Sequence, residues 1–352
     1  MTIAPSRREM LRARRSRDSA YDGVFVVAVR TTGVFCRPSC PSRAARTEHI
    51  EFFRDPASAE RAGYRPCRRC RPRESDGGAP EWLSRLLERL RREPGARWSD
   101  ADLRAAGVEP SRARRHFRRR FGMTWQQYAR RWRLLEAQTM LKRGSRLFEA
   151  GRAGGYRSDS GFRDSFSVAF GRTPRRAREV DPVVTTLIES PIGLLLAGAT
   201  DRGVAVLHFD EGRSRTDELA ELSKRLGAPL LPGHHALLDA ARRQLGEYFA
   251  GKRRLFDLPL DERGTPFQKR VWRALQAIPY GRTCSYADIA RAVQSPGAVR
   301  AVGQANHRNR IAIIIPCHRV VNANGQLGGY GGGLWRKQYL LDLERGVARV
   351  EL

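Results

Sequence analysis

The chain has 352 residues, with 66 Lys and Arg against 37 Asp and Glu and a formal charge of +29. That length calls for two or three domains, each able to bury a core, and a charge carried mostly by arginine points to a polyanion, nucleic acid rather than a membrane. No apolar run reaches a membrane span, no lipidation motif is present, and MTIAPSRREMLRARRSRD leads into no apolar signal segment, so a cytoplasmic location with six reduced cysteines is expected.

The first organised stretch runs from Tyr21-Asp22-Gly23 through a β-rich segment to Phe35 and ends at Cys36. Cys36 and Cys40 form one close pair, Cys67 and Cys70 another, and the segment between them can fold back to close a tetrahedron around one zinc ion. Four thiolates leave such an ion no open position, so the ordinary reading is a structural knot. The words FCRPSCP (35–41) and RPCRRCRP (65–72) resemble the zinc module of Ada-type proteins, here spanning 1–74. That resemblance implies that Cys36 is at once a zinc ligand and the acceptor of a methyl group from a methylphosphotriester in DNA. Zinc would keep the sulfur deprotonated, and the net negative charge of the site would keep it electron-rich.

Residues 73–80, Arg-Glu-Ser-Asp-Gly-Gly-Ala-Pro, have linker composition. Beyond them, residues 81–178 hold 25 Lys and Arg against 10 Asp and Glu, and the apolar spacing becomes helical. Ser111 is a candidate cap for a helix with Ala113, Phe117 and Phe121 on one face and Arg112, Arg115, Arg118 and Arg119 on the others. Thr124 and Gln127 form a capping box for a spacer helix carrying Trp125, Tyr128, Trp132 and Leu135 along one side. A second short-helix pair turns at Gly154-Gly155-Tyr156, and Ser158 caps a helix that buries Phe162, Phe166 and Phe170. Two helix-turn-helix units joined by a long helix resemble the AraC-type DNA-binding domain, here 81–180, and the ending FGRTP (170–174) fits it. The resemblance assigns DNA contacts to Arg112, Arg115, Arg119, Ser160 and Arg163.

Past Pro182, residues 185–189, 194–198 and 204–209 read as strands, and two helices follow around 218–226 and 235–250. Thr265-Pro266 opens a helix with Phe267, Val271 and Leu275 on one side. Ser285 caps a helix to about Val293, and Ser295-Pro296 begins another to about Asn306, with Ala301, Val302 and Ala305 inward and Arg300 outward. The run Ile311-Ala312-Ile313-Ile314-Ile315-Pro316 reads as a buried strand stopped by proline, which would set Cys317 where a sheet meets a pocket. On an extended chain His318 would face away from the sulfur and act on it through a water. Residue chemistry alone leaves two readings, a small buried residue closing a strand or a nucleophile.

The words IPCHRV (315–320), Ser285-Tyr286, AVRAVG (298–303), Asn309, Gly329-Tyr330 and Glu344 resemble the O6-alkylguanine-DNA alkyltransferase family over roughly 183–348. The implied parts are a ribonuclease-like lobe (183–260) and a catalytic domain (261–352). Cys317 would take the methyl group from O6-methylguanine, and from O4-methylthymine, once and irreversibly, activated by His318 and Glu344. Asn309 would bridge the helix-turn-helix to the active segment, Tyr286 would contact the target phosphate and base, Arg300 would fill the gap left by a flipped nucleotide, and Tyr330 would lie in a loop closing over it. Arg310 and Gly331 depart from the family pattern of proline and serine.

Together the stretches resemble the Ada-type family as a whole, a multidomain α+β chain. It joins a small four-cysteine zinc module, an all-α double helix-turn-helix domain, a ribonuclease-like lobe and a winged-helix-like alkyltransferase domain. The implied function is a methylated-DNA–protein-cysteine methyltransferase and transcriptional activator of an adaptive response to alkylation. Its implied partners are alkylated and operator DNA and RNA polymerase, and it would act as a monomer in the cytoplasm, at the bacterial nucleoid. Two other readings are a zinc-dependent regulator with an inactive C-terminal domain and a Cys-His hydrolase, which would need turnover and an oxyanion hole.

Overall fold

The computed structural model describes residues 5–18, 21–73, 81–209 and 215–347. The linker-like stretch falls almost wholly at 74–80, outside them, as does the side chain of Arg119.

The N-terminal stretch is more than a basic leader. Residues Arg7–Ser16 form helix α1, with Ser6 capping the amide of Glu9 and Tyr21 donating to Glu9 at 2.7 Å. Its apolar side covers a four-stranded sheet in the order β3-β1-β2-β4 (β1 Val26–Val29, β2 Val34–Cys36, β3 Ile50–Phe53, β4 Arg65–Pro66), with α2 (Pro56–Arg61) between β3 and β4. The two layers on this sheet are thin: Ala13, Tyr21, Phe25, Val27 and Ile50 on one side, Val26, Ala28, Phe35 and Ala59 on the other. Cores this small need a covalent or metal staple.

Helices α3 (Glu81–Arg92), α4 (Asp100–Ala105) and α5 (Pro110–Phe121) precede the long α6 (Trp125–Lys142), which α7 (Leu147–Ala153) and α8 (Asp159–Phe170) follow. The start of α5 differs from the expectation at Ser111. Glu109 is the cap and Pro110 the first helical residue, because proline's fixed φ and missing amide suit a first turn better than they suit a loop. The Thr124–Gln127 capping box is formed, and Phe117, Trp125, Tyr128 and Trp132 pack in one cluster. Phe162, Phe166 and Phe170 are buried on α8.

A second four-stranded sheet, in the order β7-β6-β5-β8 (β5 Val183–Ile188, β6 Leu195–Thr200, β7 Gly203–Phe209, β8 Leu230–Pro232), carries α9 (Arg215–Leu226) and α10 (Ala236–Phe249). Strand β8 is too short to have shown an alternating pattern. Next come α11 (Pro266–Gln276), a short β9 (Cys284–Ser285), α12 (Tyr286–Ala292) and α13 (Val299–His307). Ser295-Pro296 makes a turn and not a helix start, since Ala298 N–H closes back on Ser295 O at 2.9 Å. Val302 and Ala305 are buried as expected, whereas Ala301 is exposed. Strand β10 (Val320–Val321) pairs in parallel with β9, and α14 (Leu334–Glu344) ends the described fold.

The segment before Cys317 is not a strand. All five residues from Ile311 to Ile315 are buried, but they meet β7 at one point only, through Leu207 N–H to Arg310 O and Ala312 N–H to Leu207 O, both 2.7 Å. The chain then doubles back in two γ-turns, Ile314 N–H to Ala312 O at 2.9 Å around Ile313 and Cys317 N–H to Ile315 O at 2.8 Å around Pro316. Ile313 takes φ +72°, strained for a β-branched residue by on the order of 1–3 kcal/mol. An apolar run reports burial on both sides and says nothing about where the backbone hydrogen bonds go. Here turns and one side chain satisfy them.

Candidate functional site

That side chain is Asn309, whose Nδ2 donates to Ile315 O at 2.8 Å while its Oδ1 accepts from Ile311 N–H at 3.0 Å. It therefore pins both ends of the turn that delivers Cys317. Arg310 fits beside it, half-buried, with Nη1 donating to Arg263 O at 3.2 Å and its own carbonyl taken by β7.

Cys317 opens a single 3₁₀ turn, Cys317–Arg319, and the residue is 6% exposed. Burial pushes the thiol up, opposed by the Asn309 amide, the Lys337 ammonium and the amides of Cys317 and His318. The 3₁₀ turn, not an extended chain, sets the place of His318. Its Nε2 lies 2.8 Å from Glu344 Oε1, and its Nδ1 is buried without a partner.

Glu344, at the end of α14, is the hub. Besides His318 it accepts from Arg319 Nε at 2.8 Å, Arg319 Nη2 at 2.9 Å, the Tyr248 hydroxyl at 2.7 Å and Gly281 N–H at 3.1 Å. Burial raises its carboxyl, but the bonds from His318 and Arg319 outweigh it and hold the group down at about 2. An ionised carboxylate only accepts, so His318 must carry its hydrogen on Nε2. Burial also lowers the imidazole's affinity for a second proton. The ring is thus neutral, with Nδ1 as a bare acceptor inside the site.

Burial raises the hydroxyls of Tyr286 and Tyr330, and both lie near enough to Cys317 for a thiolate there to raise them further. Tyr330 stacks edge-on against Phe209 with ring centroids 6.0 Å apart, and its buried hydroxyl has no partner. Arg300 projects to solvent from α13, where it touches none of these groups. Three participants escaped the sequence reading: Arg319, Tyr248 and Lys337. Lys337 is fully buried, donates from Nζ to Val320 O at 2.5 Å and to Leu327 O, and is pulled down to about 8 by burial. Nothing in the sequence marked Lys337, since α14 also carries Arg336, Gln338, Asp342 and Glu344 and its charges read as an ordinary mixed helix.

The second site lies at the end of β2. The Sγ atoms of Cys36, Cys40, Cys67 and Cys70 all lie within 4.8 Å of one another. A tetrahedral zinc site with Zn–S of about 2.3 Å has sulfur–sulfur edges of about 3.8 Å, so a small inward movement closes it and the donor set fits zinc. Arg37 N–H donates to Cys70 Sγ at 3.4 Å, and Ser42 Oγ lies 3.2 Å from Cys40 Sγ. Asp22 ties down the loop between the first two ligands by accepting from Ser39 N–H at 3.1 Å and from the Ser39 hydroxyl at 2.5 Å.

On the helical block, Arg112 and Arg115 are exposed on α5, and Ser160 and Arg163 are exposed on α8. The Arg112 guanidinium sits 5.6 Å from the Trp82 ring centre. Among the described residues no helix is long and apolar enough to cross a membrane.

Four family models match the chain in succession. The metal-binding domain of Ada covers 9–73, a helix-turn-helix domain 103–179, and the ribonuclease-like and DNA-binding domains of 6-O-methylguanine DNA methyltransferase 183–262 and 266–346. The chain is 34% identical over 338 residues to the bifunctional transcriptional activator/DNA repair enzyme Ada of Escherichia coli, covering 94% of both chains. It is 35% identical, with the same coverage, to the regulatory protein ada of Salmonella typhimurium. A methylated-DNA–protein-cysteine methyltransferase of Mycolicibacterium paratuberculosis is 52% identical over 158 residues, 45% of this chain and 90% of its own.

Proposed function

Because this chain belongs to the Ada family of bifunctional transcriptional activators and DNA-repair methyltransferases, we infer that it binds alkylated DNA and moves methyl groups from it onto two of its own cysteines. Cys317 takes the methyl of O6-methylguanine or O4-methylthymine, and Cys36 takes that of a methylphosphotriester. The observation that carries the first assignment is the buried array in which Glu344 fixes the His318 tautomer and leaves Nδ1 bare.

The target base lies inside the duplex and reaches Cys317 only if its nucleotide turns out, at a cost of a few kcal/mol. Arg300 occupies the gap, Tyr286 engages the target phosphate and base, and Tyr330 closes over it. The thiol proton passes through a water to His318 Nδ1, and Glu344 stabilises the resulting imidazolium. A sulfur lone pair forms the S–CH3 bond while the O6–CH3 bond breaks, and guanine leaves with its electron pair, protonated with help from Tyr286. A thioether has no hydrolytic exit, so each Cys317 acts once.

At the second site Cys36, Cys40, Cys67 and Cys70 would hold zinc, which keeps four sulfurs deprotonated at neutral pH. Cys36 is the acceptor there, and its methylation switches on operator binding through Arg112, Arg115, Arg119, Ser160 and Arg163. We place the chain as a monomer at the nucleoid in the bacterial cytoplasm, with RNA polymerase as its partner during activation. Incubation with DNA carrying labelled methyl groups, followed by peptide mapping, tests both acceptors. Label on Cys36 and Cys317 is expected, and label on neither would overturn the assignment.

A further inference from the structure

We propose that Arg14 and Ser42 form a hydrogen-bond relay to the sulfur of Cys40 that shields this ligand from alkylation and so directs the methyl group to Cys36. The proposal rests on the zinc-site reading above and adds two residues to it.

Arg14 stands in the last turn of α1, yet it is only 4% exposed. A buried guanidinium normally sits against a carboxylate, because removing its charge from water costs several kcal/mol. Here its partners are neutral: Nη1 donates to Cys40 O at 3.0 Å, and Nη2 donates to Ser42 O and to Ser42 Oγ, both at 3.4 Å. The first belongs to the second ligand itself and the other two to the loop that follows it. The end of α1 contributes a weak negative field at its last carbonyls, but the side chain reaches away from those carbonyls to this loop. Four thiolates around a divalent cation carry a formal charge of −2, and that centre supplies the compensating charge for Arg14.

The direction of the next bond follows from donor counting. Arginine only donates, so the Ser42 hydroxyl accepts from Nη2 with an oxygen lone pair. Its single hydrogen is then free for the Cys40 sulfur 3.2 Å away. A thiolate ligand bound to metal has no hydrogen of its own to give, so in the loaded site the bond runs from Ser42 to Cys40. The adjacent cation polarises the hydroxyl and strengthens the bond. A hydrogen bond to a thiolate draws density from the lone pair that would attack a methyl carbon. It also holds the ligand in place, as outer partners of metal ligands do.

The test uses the full-length zinc-loaded protein and methyl iodide, a small electrophile that reaches any exposed lone pair. The sulfur lone pair forms the S–CH3 bond and iodide leaves with the C–I pair. Peptide mapping then gives the ratio of methyl on Cys40 to methyl on Cys36. Ser42→Ala, nearly isosteric, removes the hydroxyl with its bond to Cys40 and the one it accepts from Arg14, and leaves Arg14 bonded to the Cys40 and Ser42 carbonyls. Its Cys40 to Cys36 ratio is expected to rise on the order of tenfold, the worth of one hydrogen bond to a charged group. Zinc loss to excess chelator should be faster. Arg14→Leu should behave alike, and Arg14→Lys, which keeps the charge but loses the fork, should fall between. A ratio unchanged in Ser42→Ala overturns the proposal whatever the release rate. Wild-type protein unmethylated at Cys36 would instead remove the zinc-site reading, and the relay's purpose with it.

Discussion

The two cysteines proposed as acceptors are almost equally hidden, Cys36 at 5% and Cys317 at 6% exposure, but their surroundings would make a reactive sulfur by opposite means. Cys36 ends a strand in a module whose core is two thin layers, and four clustered sulfurs invite a cation that would hold them ionised. Cys317 lies within the largest core cluster among the described residues, where burial disfavours the thiolate, and the Asn309 amide, the Lys337 ammonium and the backbone amides of Cys317 and His318 work against that penalty. In the first site the metal supports fold and reactivity together. In the second the fold is independent of the reactive atom, so reactivity can be removed while the structure stands.

The largest separation between the two should come from Cys317→Ala. Transfer from O6-methylguanine is expected to vanish while phosphotriester repair at Cys36 continues at the wild-type rate, as measured with singly lesioned oligonucleotides. Loss of both activities would mean that the sites are coupled. Chelation gives the converse. Structural zinc contributes about 10–16 kcal/mol of apparent binding energy in small modules, far more than layers of this size supply. Zinc removal should therefore abolish hydrogen-exchange protection over residues 21–73 and leave the core around Cys317 protected.

The same contrast explains what could be read from the sequence. The zinc site was legible because metal ligation fixes residue type and spacing together: two close cysteine pairs admit few other meanings. The helix caps at Thr124, Ser158, Thr265 and Ser285 were legible because capping is local. The Cys317 array was only half legible. Ile311 to Ile315 announced burial but not the γ-turns, since the contacts that hold those turns in place reach to β7 and Asn309. Arg319 and Tyr248 meet Glu344 across 25 and 96 residues of sequence, a distance at which no periodicity operates. Arg14 looked like one more charge in a basic leader, and only the fold of α1 onto the zinc loop gives it partners.

A smaller effect should follow Glu344→Gln. The amide can no longer act as a carboxylate toward His318, and it leaves the Arg319 guanidinium buried without its counter-charge. Transfer at Cys317 is expected to slow on the order of 10²-fold, the worth of one proton-transfer group, with Cys36 unaffected. The wild-type carboxyl is depressed to about 2 from an ordinary value near 4.5. Its stabilising effect is therefore fully present above about pH 4.5 and is lost as pH falls toward 2. That difference corresponds to about 3 kcal/mol. Acid unfolding monitored in this core should shift between those pH values in wild type and be flatter in Glu344→Gln. Equal acid profiles would show that Glu344 carries no such charge in the folded state.

The most modest effect expected is on operator affinity, and it ties the two regions to the basic block between them. Converting the Cys36 thiolate to a thioether lowers the formal charge of the zinc site from about −2 to about −1. A unit charge 5 Å from a phosphate interacts with it by about 0.8 kcal/mol in water and more strongly in a desolvated interface, so relief of this repulsion should tighten binding on the order of tenfold. The gain adds to the attraction of residues 81–178, whose exposed Arg112, Arg115 and Arg163 keep their own salt dependence. Because the switch is electrostatic, it should be greatest at low ionic strength and shrink as the Debye length falls below the charge–phosphate distance. Operator titrations across a salt series, with unmodified protein and with protein methylated only at Cys36, check this. Equal affinities at every salt concentration would remove the switch. A gain independent of salt would replace charge relief with a change of conformation in the zinc module.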